Sequence, residues 1–127
     1  MITEQDLIDL ENQINQRVKP YSTSFQLTFH FANERVNDIR NNPPISIEEL
    51  SSIFERFINA HIMTVIALND RDSFTIACSK THIHIPCGVQ KRVDTSNGGY
   101  SHKNIVITIM RKKDFKSKQD DIVLSID

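Results

Sequence analysis

The chain has 127 residues, 39% hydrophobic and 24% charged, which suits one domain with one modest core. Fifteen basic against sixteen acidic side chains give a net charge of −1, which excludes a generic basic nucleic-acid coat but allows a few local phosphate contacts. Cys78 and Cys87 do not make a disulfide framework, Met1–Asp6 is acidic where a signal peptide would be basic and then apolar, and no apolar run spans a bilayer. The expectation is a reduced, cytoplasmic protein with no membrane partner.

Thr3 and Asp6 form a capping-box-like start. Leu7, Leu10, Ile14 and Val18 recur at helical spacing until Pro20, which predicts a first helix over Thr3–Val18. In the next segment Phe25, Leu27 and Phe29 alternate, yet Phe25, Phe29, Ala32, Val36 and Ile39 also fit one helical face. It is read as a helix from about Phe25 to Ile39, broken by Asn41-Asn42-Pro43-Pro44. Ser46 with Glu49 is a full capping box, and Ile47, Leu50, Ile53, Phe54, Phe57 and Ile58 carry an apolar stripe to about Ala60.

The period then changes. Met63–Leu68, Phe74–Cys78, Thr81–Ile85, Lys103–Met110 and Asp121–Ile126 are short, β-branched and separated by turns, so they are read as strands. Asn69–Asp72 reads as a hairpin turn, Ser79-Lys80 as another, and Thr95–Gly99 as a looser loop. The fold class that follows is α+β: two or three N-terminal helices (about 3–60) packed on one face of a four- to five-stranded, mainly antiparallel sheet (about 62–126).

Several side chains suit phosphate chemistry. His30, Glu34 and Asp38 fall at i, i+4 and i+8 on one helical face, where a carboxylate can fix the imidazole tautomer. Arg35 and Arg40 lie on the same pattern, and guanidinium clamps phosphate with paired hydrogen bonds. The plainer alternative is a set of exposed ion pairs, worth roughly 0.2–1 kcal/mol each and needing no function. In Thr81–Ile85, strand alternation turns Ile83 and Ile85 toward the helices and His82 and His84 outward. They are candidate acid/base groups, or solvent-facing residues. As a metal half-site they would need Cys78, Cys87 or His30, and the spacing matches no standard zinc pattern, so no metal is predicted.

In Lys103–Met110, Ile105, Ile107 and Ile109 are expected inward, with Val106, Thr108 and Met110 outward on the histidine face. Arg111, Lys112 and Lys113 follow, and three cations there would hold RNA or stabilise developing phosphorane charge. Lys116 and Lys118 read instead as charges that protect a sheet edge. There is no Gly-rich phosphate loop and no nucleophile elbow.

The order His30, Arg35 and Arg40 on an early helix, a second helix, then a strand meander resembles the RelE/RegB-type (barnase–colicin–RelE-like) endoribonucleases. That superfamily includes bacterial mRNA-cleaving toxins and a phage early-mRNA endoribonuclease. Glu34–Leu50, Thr81–Pro86 and Ile107–Phe115 are also similar to phrases in small phage proteins. The resemblance implies metal-independent, cofactor-free cleavage of RNA, in which the ribose 2′-hydroxyl attacks the adjacent phosphate with a base, an acid and a cation assisting. It maps His30 onto the superfamily's helix histidine, Arg35 onto a basic position one turn later, and Arg111 onto a late-strand basic position. His82 and His84 have no firm counterpart and rest on strand geometry. The expected catalytic set is His30, Arg35, His84 and Arg111; Arg40, His82, Thr108, Lys112 and Lys113 would bind RNA. The near-neutral charge departs from these usually basic nucleases. It leaves two alternatives: a non-enzymatic phage accessory protein that binds a host factor, and a minor virion or assembly component associating through the last strand.

Overall fold

Reciprocal side-chain caps start both long helices. In the computed structural model, which describes residues 1–27, 34–94, 99–114 and 122–127, helix α1 spans Glu4–Val18. Thr3 Oγ1 accepts from the Asp6 N–H at 3.1 Å, and Asp6 accepts from the Thr3 N–H at 2.9 Å. Ser46 and Glu49 cap α2, Ile47–Ile66, in the same way. This helix runs past Ala60, because Ile58, Ile62 and Val65 keep the three-to-four-residue spacing of its buried face. The expected strand over Met63–Leu68 is therefore the end of α2 and its exit. Continuous burial on one helical stripe overrides the local β-branched composition.

The expected helix from Phe25 is also corrected. Ser24–Leu27 is a strand, β1, with Phe25 and Leu27 buried and Ser24 and Gln26 half-buried. Here the two-residue period outweighs the helical one because β1 finds a strand partner. Of the expected helix, residues 34–36 are helical among the described residues. Residues 28–33, with His30, lie outside them, as do 95–98 and 115–121, with Lys116 and Lys118.

The remaining strands are β2 (Ser73–Cys78), β3 (Ile83–Asp94), β4 (Gly99–Val106), β5 (Met110–Arg111) and β6 (Ile122–Ile126). They form one sheet in the order β1-β4-β3-β2-β6, with β5 pairing β3 beyond the end of β4. The α+β architecture stands, but among the described residues the sheet has six strands and is mixed: β1 is parallel to β4, and β6 to β2. Both parallel partners are reached by long connections rather than tight hairpins, which is what parallel pairing requires. Residues 79–82 make the β2–β3 hairpin as expected, whereas Asn69–Asp72 joins α2 to β2.

One face of the sheet packs on the helices. Phe25, Phe54 and Phe57 meet edge-on at 5.9 and 6.4 Å between ring centroids, and Phe57 stacks on Phe74 at 5.8 Å. Burying rings of this size contributes roughly 1.5–3 kcal/mol each. Ile83, Ile85 and Cys87 of β3 join this core, and Cys78 and Cys87 are free thiols within it.

The phase of β4 differs from the expectation. His102, Asn104 and Val106 point into the core, in register with Lys91, Val89 and Cys87, while Ile107 is 49% exposed. Ile109 is nevertheless fully buried. The change of phase between 106 and 109 is a β-bulge. The Ile107 N–H donates to Pro86 O at 2.9 Å, yet His84, two residues before Pro86, pairs with Met110, three residues after Ile107. Pro86 explains its place. A strand residue presents N and O to the same side, so the N–H that proline lacks falls where β4 breaks away.

Candidate functional site

The bulge opens a cleft of about 580 Å³ between the helical segment that includes residues 34–36 and the β4–β5 segment. Its walls bring together Arg35, Asp38 and Arg40 from the early segment with Thr108, Arg111 and Lys112 from the late one. Five of the residues expected to carry function thus converge, from stretches about seventy positions apart. Thr108 sits in the bulge, and its Oγ1 is buried with no hydrogen-bond partner among the described residues.

Charge at the cleft is partly neutralised from within. Asp38 takes Arg40 Nε at 3.0 Å and Nη2 at 2.8 Å, and this fork holds the carboxyl well below its usual range. The Arg40 side chain is 75% exposed, so the pair sits in water and a competing anion can rearrange it. No described ion pair engages Arg35 or Lys112.

Arg111 is differently placed. Its side chain is only 9% exposed, and its Nη2 lies 2.9 Å from both Glu49 oxygens. Nε donates to Pro43 O and Nη1 to Thr81 O, each at 2.8 Å. Burial alone would raise the Glu49 carboxyl; Arg111 and the Ser46 N–H outweigh it and hold the group below its ordinary value. The guanidinium therefore joins α2, the Pro43-Pro44 loop and the β2–β3 turn behind the cleft. Asn41 completes the fastening. It is buried, donates to the carbonyls of Arg35 and Val36, and accepts the Arg111 N–H at 2.8 Å. One amide thus ties the segment bearing Arg35 to the strand bearing Arg111. In the sequence Asn41 stands as part of a helix-breaking run, although an Asn just beyond a helical pattern is also a capping signal.

The two strand histidines separate. His84 is in β3 on the open face, opposite Met110 of the cleft wall, and its Nε2 donates to Lys112 O at 3.1 Å. Burial pulls its pKa below the usual imidazole value, and neighbouring His82 adds to that, while the Lys112 carbonyl opposes it. The ring is accordingly neutral near pH 7. His82 is not in the strand; it lies in the preceding turn at a φ of 59° and is exposed, with its carbonyl accepting the Lys112 N–H. Lys113 is exposed beyond the cleft lining.

Cys78 and Cys87 lie on the core face, opposite His84, and cannot complete a metal site with it. Among the described residues no cluster of His, Cys, Asp or Glu could hold a metal ion, and no helix is long and apolar enough to cross a membrane. No protein-family profile, curated protein or solved structure matches this chain.

Proposed function

We propose that this protein is a small phage-encoded endoribonuclease of the RelE/RegB type, cutting RNA without a metal at the cleft beside the β4 bulge. The observation that carries the reading is the meeting of Arg35, Arg40, Thr108 and Lys112 around one cavity, with His84 hydrogen-bonded to its wall. A phosphodiester there is clamped by the arginines, with Arg40 released from Asp38, and Lys112 faces the charge that builds on the phosphoryl oxygens. The neutral His84 ring takes the proton of the 2′-hydroxyl as its oxygen attacks phosphorus. The 5′-oxygen leaves with a proton from an acid, for which His30, outside the described residues, is the candidate. The products are a 2′,3′-cyclic phosphate and a 5′-hydroxyl. Arg111 is a positioning residue in this scheme.

Long RNA incubated with the protein in EDTA tests it. Fragments ending in 2′,3′-cyclic phosphate are expected, with rates falling about 100-fold for His84→Ala and at least 10-fold for Arg35→Ala. Intact RNA with the wild type, or equal cleavage by His84→Ala, removes the proposal.

A second reading, a non-enzymatic accessory protein that docks a host factor, is favoured by exposed apolar side chains near the cleft. Ile39 is 95% exposed and Ile107 49%. It predicts co-purification with one host protein that survives His84→Ala and is lost with Ile39→Asp.

A further inference from the structure

Net charge conceals a separation of charge between the two layers. α1 and α2 together hold seven Asp and Glu residues against two arginines. Residues 73–112, which carry β2 to β5, hold six Lys and Arg against one acid, Asp94. A second groove, of about 410 Å³, lies on the open face of the sheet. It is lined by Asp70, Arg71, Gly88, Arg92, Ile105 and Ile107 among others. Asp70 is 3.9 Å from Arg71 and accepts the Lys91 N–H, so it offsets one of the cations. The Arg71 side chain is still 94% exposed, and its backbone is fastened to β3 through Val89 O. Lys103, opposite Gln90 in the ladder, shares the face. Ile107 lines both this groove and the cleft. Between them Gly88 offers no side chain, and a Cβ there would meet Ile107 Cδ1 at 3.8 Å.

We propose that the cleft is one end of a continuous track for single-stranded RNA, with Arg71, Arg92 and Lys103 as a second phosphate site across the Gly88–Ile107 saddle. The proposal rests on the RNA reading of the cleft. From His84, beside the cleft, to Arg92 is eight residues along β3, roughly 26 Å at about 3.3 Å per residue. That distance suits several consecutive phosphates and exceeds a mononucleotide. Exposed Ile107 and half-buried Ile105 lie between the cation sites, where unpaired bases can cover them while the phosphates reach the cations. A duplex presents phosphates outward and would leave those isoleucines bare. The acidic helical layer keeps nucleic acid on the sheet side.

The experiment uses fluorescent 2′-O-methyl oligouridylates, which lack the attacking hydroxyl and so report binding without cleavage. The probes are a 4-mer and a 12-mer, with anisotropy read across a salt series. Arg71→Ala/Arg92→Ala is expected to weaken the 12-mer at least ten-fold and leave the 4-mer unchanged. It should also shallow the salt slope by about 1.4, the value for two lost phosphate contacts on a single strand. Gly88→Glu, which places a carboxylate on the saddle, should act in the same direction. Wild-type binding of the 12-mer that neither variant weakens, or equal binding of a 12-mer duplex or of polyglutamate, overturns the track alone. A wild type that binds no 12-mer removes the RNA reading with it. Binding that depends on Arg71 and Arg92, without cleavage of ordinary RNA, upholds the track and removes only the nuclease step.

Discussion

Arg111 shows how one side chain can look catalytic and act as a fastener. A cation following an apolar strand suggests a phosphate ligand, and nothing local in Ile109–Lys113 argues otherwise. Its partners are Glu49, sixty-two positions away, and the carbonyls of Pro43 and Thr81. Removing the guanidinium leaves a partly buried carboxylate and two carbonyls without donors. Arg111→Ala should cost about 3 kcal/mol in urea unfolding, and Arg111→Lys should recover little, because an ammonium cannot reproduce the fork. A loss below about 1 kcal/mol would return Arg111 to the list of phosphate ligands. Asn41 was equally hidden, since its capping and bridging roles depend on a strand seventy residues later.

Among the elements, the helix starts were legible because capping boxes are local chemistry, and Thr3/Asp6 and Ser46/Glu49 both form as written. The strands were less so. Ile105, Ile107 and Ile109 look like one inward face, but the bulge at Pro86 divides them, and only Ile109 is fully buried. A single extra residue inverts the phase of a strand, and no local pattern announces it. Edge protection is another relation between elements. Asn15 of α1 exchanges hydrogen bonds with the Phe25 backbone, and Glu11 accepts the Leu27 N–H at 2.8 Å, so helix side chains occupy the outer edge of β1. Opposite, His61 of α2 donates to Ser125 O of β6. Glu11→Ala/Asn15→Ala should therefore lower stability by about 2–3 kcal/mol and promote concentration-dependent association in light scattering. A double variant that stays monomeric at unchanged stability would show that these contacts do not guard the edge.

For the whole molecule, pH is the lever that reports on buried imidazoles. His102 is 5% exposed in the core-facing row of β4; burial lowers its pKa, Lys91 lowers it further, and Asn104 partly opposes this. His84 is shifted the same way. In the unfolded chain both titrate near 6.5, so as pH falls below that value the unfolded state takes up protons first. Their contribution to stability is full above about pH 6.5 and is lost as pH falls toward and through the lower folded values. Glu49 adds loss of the same sign at lower pH, below its ordinary 4.5. The urea midpoint should drop from pH 7.5 to pH 5, and His102→Asn should flatten that drop. A pH-independent midpoint over this range would contradict the buried, neutral state of these rings.

Local chemistry alone specified the capped helices, the Ser79–Lys80 hairpin, the inward face of Ile83 and Ile85, and the residue types suited to phosphate. Those features depend on neighbours within a few positions, where spacing and propensity act directly. Which cations face solvent, which are consumed as fasteners, and where β4 changes phase follow from pairings across seventy residues, with Pro86 opening the gap that becomes the cleft. Such outcomes are set by which groups burial forces together, and that selection exists only once helices and sheet have packed.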